Sequence, residues 1–216
     1  YNLVVTDASG CVSSPGSTTV NVQRPPERPL LGANQALCIG SPLTISVQNV
    51  NVYGSNVVFE WHTPNGIVSQ AQANLVIPIT GLQHSGDYRL VVKSGNCTSA
   101  PSETVTVTVH PIPPAPTVSS NTPVCEGDTL RLFAAPVAGA SYSWVGPSGF
   151  TASVRDPIIV QVNKNTHQGC YYATVSVNGC VSPVSEGACV DVRSRPPAPT
   201  ILPISAACLS QPGATL

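Results

Sequence analysis

The sequence predicts an all-β protein built from small tandem domains, and three observations lead to that prediction. Charged residues make up only 9% of the 216 residues, whereas hydrophobic residues reach 42%. The 22 prolines and 17 glycines separate short runs in which apolar and polar residues alternate, a pattern typical of strands joined by turns. Two cysteine-containing patterns recur along the chain with a shared period, which indicates repeated domains.

The composition also excludes several classes of function. The net charge is −1, so the chain lacks the basic surface with which proteins bind nucleic acids or anionic membranes. No run approaches the roughly 18 apolar residues of a membrane-spanning helix. The apolar content is high enough to form a core despite the many prolines and glycines. We therefore expect an ordered protein with no nucleic-acid partner and no membrane insertion.

The eight cysteines point to disulfide bonding. The cysteines are Cys11, Cys38, Cys97, Cys125, Cys170, Cys180, Cys189 and Cys208. None forms a C-x-x-C pair, and no histidine stands at zinc-finger spacing from a cysteine pair, so we expect neither a metal nor another cofactor. Disulfides form in oxidising compartments, which predicts an extracellular or cell-surface location.

The first repeated pattern is a strand that begins with tyrosine and leads to a Gly-Cys or Asn-Cys turn. It occurs at Tyr1 to Cys11, Tyr88 to Cys97 and Tyr171 to Cys180. Cys11 and Cys97 are 86 residues apart, and Cys97 and Cys180 are 83 apart. We call Cys11, Cys97 and Cys180 the hairpin cysteines, because each lies at the predicted turn of a hairpin.

The second repeated pattern is a cysteine that opens a strand after a proline-rich linker. Cys38, Cys125 and Cys208, the opening cysteines, are separated by 87 and 83 residues. Two independent markers with one period predict tandem domains. We expect the end of one repeat, its F–G hairpin, at 1–24, complete domains at 27–110 and 114–193, and the start of a further repeat at 197–216. The chain opens directly in a strand without Met, so we expect a fragment of a longer protein.

Within each complete domain the pattern predicts strands only. In the first domain they are Leu43 to Gln48, Val57 to His62, Asn74 to Ile79, Asp87 to Lys93 and Thr104 to His110. In the second they are Thr129 to Ala134, Ser141 to Val145, Ile158 to Val162, Cys170 to Val177 and Ala188 to Val192. About seven short strands in some 85 residues indicate a sandwich or a barrel.

Aromatic residues resemble the core of an immunoglobulin sandwich. Trp61 and Trp144 follow the opening cysteines by 23 and 19 residues, where that family has a tryptophan on strand C. Ser85-Gly86-Asp87-Tyr88 is similar to the turn into strand F that carries the tyrosine corner. The resemblance implies an immunoglobulin-like β-sandwich with Trp61, Trp144, Tyr88 and Tyr171 in its core.

Three short sequence patterns resemble a particular group of immunoglobulin-like proteins. Cys-x-Gly openings, Asn/Gly-Cys hairpins and Pro-Pro-Ala-Pro linkers are similar to the immunoglobulin-like repeats of very large Bacteroidetes surface proteins. These include gliding-motility adhesins exported by the type IX secretion system. The resemblance covers the whole chain.

The cysteines depart from the antibody pattern. In antibody domains the second cysteine lies two residues after the corner tyrosine, a position held here by Leu90 or Ala173, whereas Cys97 and Cys180 lie nine residues after it. We infer that the disulfide has moved to one end of the sandwich and joins the start of strand B to the tip of the F–G hairpin. The predicted pairs are Cys38–Cys97 and Cys125–Cys180.

Two further cysteines of the second domain are predicted to pair across the F–G hairpin. With a turn near Gly179-Cys180, Cys170 and Cys189 face each other, as Asp87 and Thr106 do in the first domain. A cross-strand disulfide on the solvent face is the prediction, and a redox-active or interchain role is the alternative.

Cys11 and Cys208 are predicted to be unpaired by truncation, because their partners would lie outside this sequence. The alternative is that a neighbouring chain supplies the missing strands, as in donor-strand assembly.

No catalytic or metal-binding constellation stands out. The histidines His62, His84, His110 and His167 lie far from one another in the sequence, and the ten carboxylates are dispersed without a calcium-type loop. We therefore predict that the chain is not an enzyme. Asn96-Cys97-Thr98 matches the N-glycosylation sequon, and Thr129 lies in Asp128-Thr129-Leu130, which resembles a Bacteroidetes O-glycosylation pattern.

These features predict a mechanical and adhesive role, in which the chain is a rigid, disulfide-stapled spacer of an extracellular fibre or giant repeat adhesin. Proline-rich linkers are semi-rigid, which suits a spacer. The expected partners are neighbouring repeats of the same polypeptide and other copies in a fibre, with a surface or glycan ligand that the sequence does not identify. The alternative is a non-catalytic module of a secreted multidomain hydrolase, and a receptor ectodomain ranks third.

Overall fold

The computed structural model describes residues 1–20, 22–33 and 36–201. The chain divides into two compact units. The first contains residues 1–112 together with Asn178–Cys180, and the second contains Pro113–Val177 and the chain from Val181. Most of the predicted repeat start at 197–216, including Cys208, lies outside the described residues.

The N-terminal segment forms a hairpin. Strands β1 (Asn2–Leu3) and β2 (Gly16–Ser17) pair antiparallel, with Asn2 opposite Ser17. An isolated bridge between Thr6 and Val12 extends the ladder towards the turn. Segment 1–24 was predicted to be the F–G hairpin of a repeat, and its described part has this hairpin form.

The first complete sandwich contains nine strands in two sheets among the described residues. They are β3 (Leu31–Ala33), β4 (Ala36–Cys38), β5 (Leu43–Val47), β6 (Val57–Thr63), β7 (Gly66–Gln70), β8 (Leu75–Ile77), β9 (Gly86–Ser94), β10 (Cys97–Thr98) and β11 (Val105–His110). One sheet has the order β3-β5-β8, and the other has the order β4-β11-β9-β6-β7 with β10 beside β9. Single 3₁₀ turns occur at Val50–Val52 and Leu82–His84.

The second sandwich has an equivalent strand order. Its strands are β12 (Val118–Ser120), β13 (Val124–Cys125), β14 (Leu130–Ala134), β15 (Ser141–Val145), β16 (Thr151–Ala152), β17 (Ile158–Ile159), β18 (Gly169–Val177), β19 (Cys180–Val181), β20 (Ala188–Val190) and β21 (Val192–Arg193). Strands β12-β14-β17 form one sheet, β16-β15-β18-β19 form another with β20 beside β18, and β13 pairs with β21. A 3₁₀ turn covers Pro147–Gly149, and the one-turn helix α1 covers Lys164–His167.

Alternating side chains explain why these segments are strands. In β9, Tyr88, Leu90 and Val92 are buried while Arg89 is exposed. Since successive residues of a strand point to opposite faces, this two-residue period places one row of apolar side chains between the sheets. Strand β18 repeats the pattern. The fold is thus an all-β, immunoglobulin-like β-sandwich, as the sequence predicted.

The short edge strands were not predicted. Strands β3, β7, β12 and β16 lie at sheet edges, and β7 has four exposed residues out of five. An edge strand is half solvated, so it needs no regular apolar alternation and gives little signal in the sequence.

Candidate functional site

The disulfide that encloses the longest part of the chain joins Cys38 to Cys180. The two Cα atoms are 5.6 Å apart and 142 residues separate them in sequence. Both cysteines belong to the first compact unit, because the hairpin tip Asn178–Cys180 groups with residues 1–112. The predicted pairs Cys38–Cys97 and Cys125–Cys180 are therefore wrong.

The position of Cys38 in the sheet explains the error. Cys38 does not begin strand B; it ends the separate strand β4, which runs parallel to β11 with Cys38 opposite His110. On the neighbouring strand β9, Gly86 lies opposite Val107 of β11. Cys38 therefore lies near the start of β9.

Cys97 lies at the other end of β9, where it pairs with Ser94. Eight residue steps of extended strand separate Gly86 from Ser94, which amounts to about 26 Å at ~3.3 Å per residue. A disulfide requires Cα atoms within about 7 Å. A bond between Cys38 and Cys97 is therefore excluded by the geometry of their own sandwich.

Cys180 lies beside the last strand of the first sandwich. Its Sγ is 4.0 Å from the carbonyl oxygen of His110, the residue opposite Cys38. At the same tip, Asn178 Nδ2 lies 3.3 Å from His110 Nδ1. Because β4 pairs with β11, Cys38 lies opposite His110, the residue that this hairpin tip contacts.

The predicted cross-strand disulfide Cys170–Cys189 is confirmed. The two residues are directly opposite each other in β18 and β20, and their sulfur atoms are bonded. The equivalent positions of the first sandwich, Asp87 and Thr106, are also opposite each other, and Thr106 Oγ1 donates a hydrogen bond of 2.7 Å to Asp87 Oδ1. The register inferred from the turn was correct in both sandwiches.

Three cysteines of the described part of the chain carry free thiols. Cys11 is exposed, and Cys97 and Cys125 are partly buried. Cys11 was predicted to be unpaired, whereas Cys97 and Cys125 were expected in bonds. The prediction for Cys208 falls outside the described residues.

The four aromatic residues expected in the core are there. Trp61, Trp144, Tyr88 and Tyr171 each have 0% exposure. Each tyrosine forms a corner bond back along the chain, from Tyr88 Oη to the His84 carbonyl at 2.8 Å and from Tyr171 Oη to the His167 carbonyl at 2.9 Å. These bonds fix the entry of the chain into β9 and β18.

Two of the four histidines serve these corners. His84 Nδ1 accepts a hydrogen bond of 2.9 Å from the Gly81 amide, and His167 Nδ1 accepts one of 2.9 Å from the Asn163 amide. A His-x-x-x-Tyr spacing in both repeats could have revealed this role. No cluster of three or more potential metal ligands occurs within residues 1–20, 22–33 and 36–201.

A set of buried serines behind the hairpins was not predicted from the sequence. Ser99 and Ser102 accept hydrogen bonds of 3.0 Å from the amides of Val92 and Leu90 through their Oγ atoms. Ser182 and Ser185 do the same for Val175 and Ala173. The Ser-x-x-Ser spacing that begins two residues after each of these hairpin cysteines is the signal that could have identified them.

The serine hydroxyls accept hydrogen bonds from strand amides at places where the neighbouring chain has left the ladder. Residues 99–102 and 182–185 lie outside the ladders of β9 and β18, so the strand amides there need side-chain acceptors. Ser13 has the same position in the N-terminal hairpin, and its Oγ accepts from the Val5 amide at 3.0 Å. The hairpins therefore share one hydrogen-bonding device.

Ion pairs lower the pKa of two carboxylates in the sandwiches. The pKa of Asp156 is lowered, first by the hydrogen bond from Arg155 and then by the backbone amide of Ala134. The pKa of Glu60 is lowered chiefly by the hydrogen bond from Lys93 Nζ at 2.5 Å. Both carboxylates are held in their ionised form by these neighbours, as structural ion pairs are.

The predicted glycosylation positions differ in exposure. Asn96 is exposed in the turn before Cys97, whereas Thr129 is partly buried. The Thr129 carbonyl accepts a hydrogen bond of 3.1 Å from Asn121 Nδ2. Modification at either position remains a prediction.

Among the residues described, no helix is long and apolar enough to cross a membrane. Two disulfides, Cys38–Cys180 and Cys170–Cys189, are present in the same part of the chain. Disulfides are characteristic of proteins that fold in an oxidising compartment, such as secreted and surface proteins.

Comparison with known proteins supports the fold alone. No protein-family model and no curated protein matches the chain. A solved chain from the complex of mouse coronavirus receptor-binding domain with its murine receptor is 15% identical, with a TM-score of 0.52 over 76% of this chain and 99% of that one.

Two further solved structures are similar at lower scores. Murine CEACAM1b is 14% identical, with a TM-score of 0.47 over 76% of this chain and 99% of that one. The chicken CNTN1 FN1–FN3 domains are 16% identical, with a TM-score of 0.47 over 89% of this chain and 74% of that one. The likeness in fold rests on the chain from the coronavirus–receptor complex.

Proposed function

We propose that this chain is a non-catalytic structural and adhesive segment of an extracellular surface fibre or giant repeat adhesin, in which it acts as a spacer that bears tension. The observation that carries the proposal is the Cys38–Cys180 disulfide. It closes a covalent loop over 142 residues. Force applied to the two ends of the chain passes through this bond, so the enclosed residues need not unfold.

The surface supports the same role. Charged residues are 9% of the chain, and partners recognised through strong charge are therefore disfavoured. Proline-rich linkers flank the sandwiches at Arg24-Pro25-Pro26 and Arg195-Pro196-Pro197, and such linkers are semi-rigid. We propose neighbouring repeats of the same polypeptide and other copies in the fibre as its partners. The resemblance to Bacteroidetes surface repeats agrees with this role.

Single-molecule stretching of the chain between its termini tests the proposal. In the oxidised protein, the 142 residues enclosed by Cys38 and Cys180 should stay hidden, and a reductant should release about 500 Å of extra extension at ~3.6 Å per residue. Equal extensions with and without reductant would contradict a role in bearing tension.

A Cys38→Ser variant is the matched control. It should extend without reductant by all but the short loop that Cys170–Cys189 closes, which spans 19 residues. If this variant retained the short extension of the oxidised parent, a different bond would carry the force.

A further inference from the structure

We propose that each opening cysteine bonds to the hairpin cysteine of the repeat that follows it, so that Cys38–Cys180 is one link of a series. By this rule, Cys97 pairs with the opening cysteine of a preceding repeat. Cys125 pairs with the hairpin cysteine of a following repeat in the same polypeptide. The rule concerns bonding alone, so it can fail while the proposed spacer function stands.

The opening and hairpin cysteines of one repeat are too far apart to bond to each other. Cys38 and Cys97 lie at opposite ends of β9, about 26 Å apart along the strand. In the second sandwich, Cys125 lies opposite Arg193, close in sequence to Val190, which pairs with Gly169 at the start of β18. Cys180 follows the other end of β18. The same geometry therefore applies in both repeats.

Cys97 occupies a position that matches that of Cys180. The Cys97 thiol donates to the carbonyl oxygen of Gln23 at 3.6 Å, just as Cys180 Sγ lies 4.0 Å from the His110 carbonyl. Gln23 and His110 each lie just before a proline-containing linker. Cys97 therefore contacts the end of the segment that precedes it.

The residues two positions before Cys97 and Cys180 also lie in equivalent places. A Cβ atom at Gly95 would lie 3.2 Å from Oε1 of Gln23, and Asn178, at the equivalent place in the next hairpin, has Nδ2 3.3 Å from His110 Nδ1. Since Cys38 is the residue opposite His110, the opening cysteine of the repeat that ends at Gln23 would lie opposite Gln23. That position is within reach of the Cys97 thiol.

Cys125 is placed in its sandwich as Cys38 is in the first. Cys125 pairs in parallel with Arg193 near the end of its sandwich, as Cys38 pairs with His110. Its thiol is free and only partly buried. Within the described residues, one opening cysteine in this position has its partner present. That cysteine is Cys38, and it is bonded to the hairpin cysteine Cys180.

Each bond forms by thiol–disulfide exchange with a disulfide oxidant, either an oxidoreductase or a small-molecule disulfide. The thiolate of one cysteine attacks the oxidant to form a mixed disulfide, and the second cysteine displaces the oxidant's remaining thiol. The two cysteines lose two electrons and two protons in total, and the oxidant is reduced to two thiols.

A duplicated chain tests the rule. Residues 1–196 are fused to residues 26–216, so that the junction reproduces the natural Arg-Pro-Pro linker. The first copy carries Cys97→Ser and the second carries Cys125→Ser. The rule predicts a bond from Cys125 of the first copy to Cys97 of the second, detected by non-reducing peptide mapping of the monomeric fraction.

The reciprocal fusion is the matched control. This fusion carries Cys125→Ser in the first copy and Cys97→Ser in the second. The remaining Cys97 then belongs to the first sandwich of the fusion and the remaining Cys125 to the last, so the rule predicts no bond between them. Both should react with an alkylating agent. A Cys38–Cys180 bond in each copy of both proteins shows that the sandwiches have folded.

Other results overturn the proposal. Free thiols at Cys125 and Cys97 in the first fusion would do so, as would a Cys97–Cys125 bond in the control or a bond that forms only between molecules. In the single chain, Cys180→Ser should leave Cys38 open to alkylation. A Cys38–Cys97 bond in that variant would also refute the rule.

Discussion

The two complete sandwiches place different chemistry at one position of the same hairpin. In the first, Thr106 donates a hydrogen bond to Asp87; in the second, the equivalent pair is the disulfide Cys170–Cys189. Both pairs are directly opposite each other in the ladder. The fold therefore fixes which two positions meet, and the sequence of each repeat decides whether they join covalently.

A second pair of equivalent positions differs in charge. The Val47 amide at the end of β5 donates to Asn74 Oδ1 at 3.1 Å, and the Ala134 amide at the end of β14 donates to Asp156 Oδ1 at 3.1 Å. An amide side chain and a carboxylate thus satisfy the same backbone group. Of these two contacts, the one to the carboxylate depends on pH.

The core tryptophans differ as well. Trp144 Nε1 donates to the Arg155 carbonyl at 3.2 Å, whereas the buried Nε1 of Trp61 has no hydrogen-bond partner among the described residues. An unsatisfied buried donor costs about 1–3 kcal/mol. The first sandwich therefore carries a cost in its core that the second avoids.

The largest effect should come from Trp144. Trp144→Ala should destabilise the second sandwich by about 3–5 kcal/mol, because it leaves a cavity in a closely packed core. Trp144→Phe should cost more than Trp61→Phe, since Trp144 loses a hydrogen bond that Trp61 does not make. Hydrogen exchange of β15 and β6 measures each sandwich separately. Equal losses of stability in the two Phe variants would show that the hydrogen bond of Trp144 does not stabilise the second sandwich.

Loss of the cross-strand disulfide should have the next largest effect. The double variant Cys170→Ser/Cys189→Ser opens a loop of 19 residues, for which the chain-entropy model gives about 3 kcal/mol. Thermal unfolding of the second sandwich should shift down while the first is unchanged.

Asp87→Cys/Thr106→Cys is the converse test of the same positions. The two residues already face each other, so a disulfide should form there and raise the stability of the first sandwich. If non-reducing mapping showed two free thiols in a folded protein, the positions would not be equivalent in geometry.

The buried serines should have an intermediate effect. Ser182→Ala leaves the buried amide of Val175 without its acceptor and should cost about 1–3 kcal/mol. Ser99→Ala should cost a similar amount in the first sandwich, and Ser14→Ala, at an exposed position, should cost almost nothing. Denaturant unfolding measures all three, and a neutral Ser182→Ala would show that another group satisfies this amide.

The smallest effect should be the pH dependence of stability that Asp156 contributes. The pKa of Asp156 is lower when folded, so its contribution to stability is complete above the unfolded value of about 3.9 and is lost as the pH falls through the folded value. Asp156→Asn should reduce the acid sensitivity of the second sandwich below about pH 4. The first sandwich, with Asn74 at this place, is the internal control. Unchanged acid unfolding would show that Asp156 has no such role.

How well the sequence predicted each feature depended on how local that feature is. Strand β9 was predicted because Tyr88, Leu90 and Val92 alternate with polar neighbours. The Cys170–Cys189 bond followed from the register of one hairpin, which a turn fixes over a few residues.

The opening cysteines could not be placed in this way. Strand β4 has three residues, Ala36–Cys38, too few for a periodic signal. Its parallel pairing with β11 joins residues about 70 positions apart, and such a contact depends on the complete sandwich. The partner of Cys38 was therefore beyond what the periodic pattern could determine.

The Cys38–Cys180 bond also bears on how the chain withstands proteases. A single cut of the backbone between these two cysteines, even in the proline-rich segment at 111–116, leaves both pieces joined through sulfur. Exposed loops are the usual sites of such cuts, and most of the loops of both sandwiches lie within this interval. After one such cut the two pieces would stay joined until a reductant broke this bond.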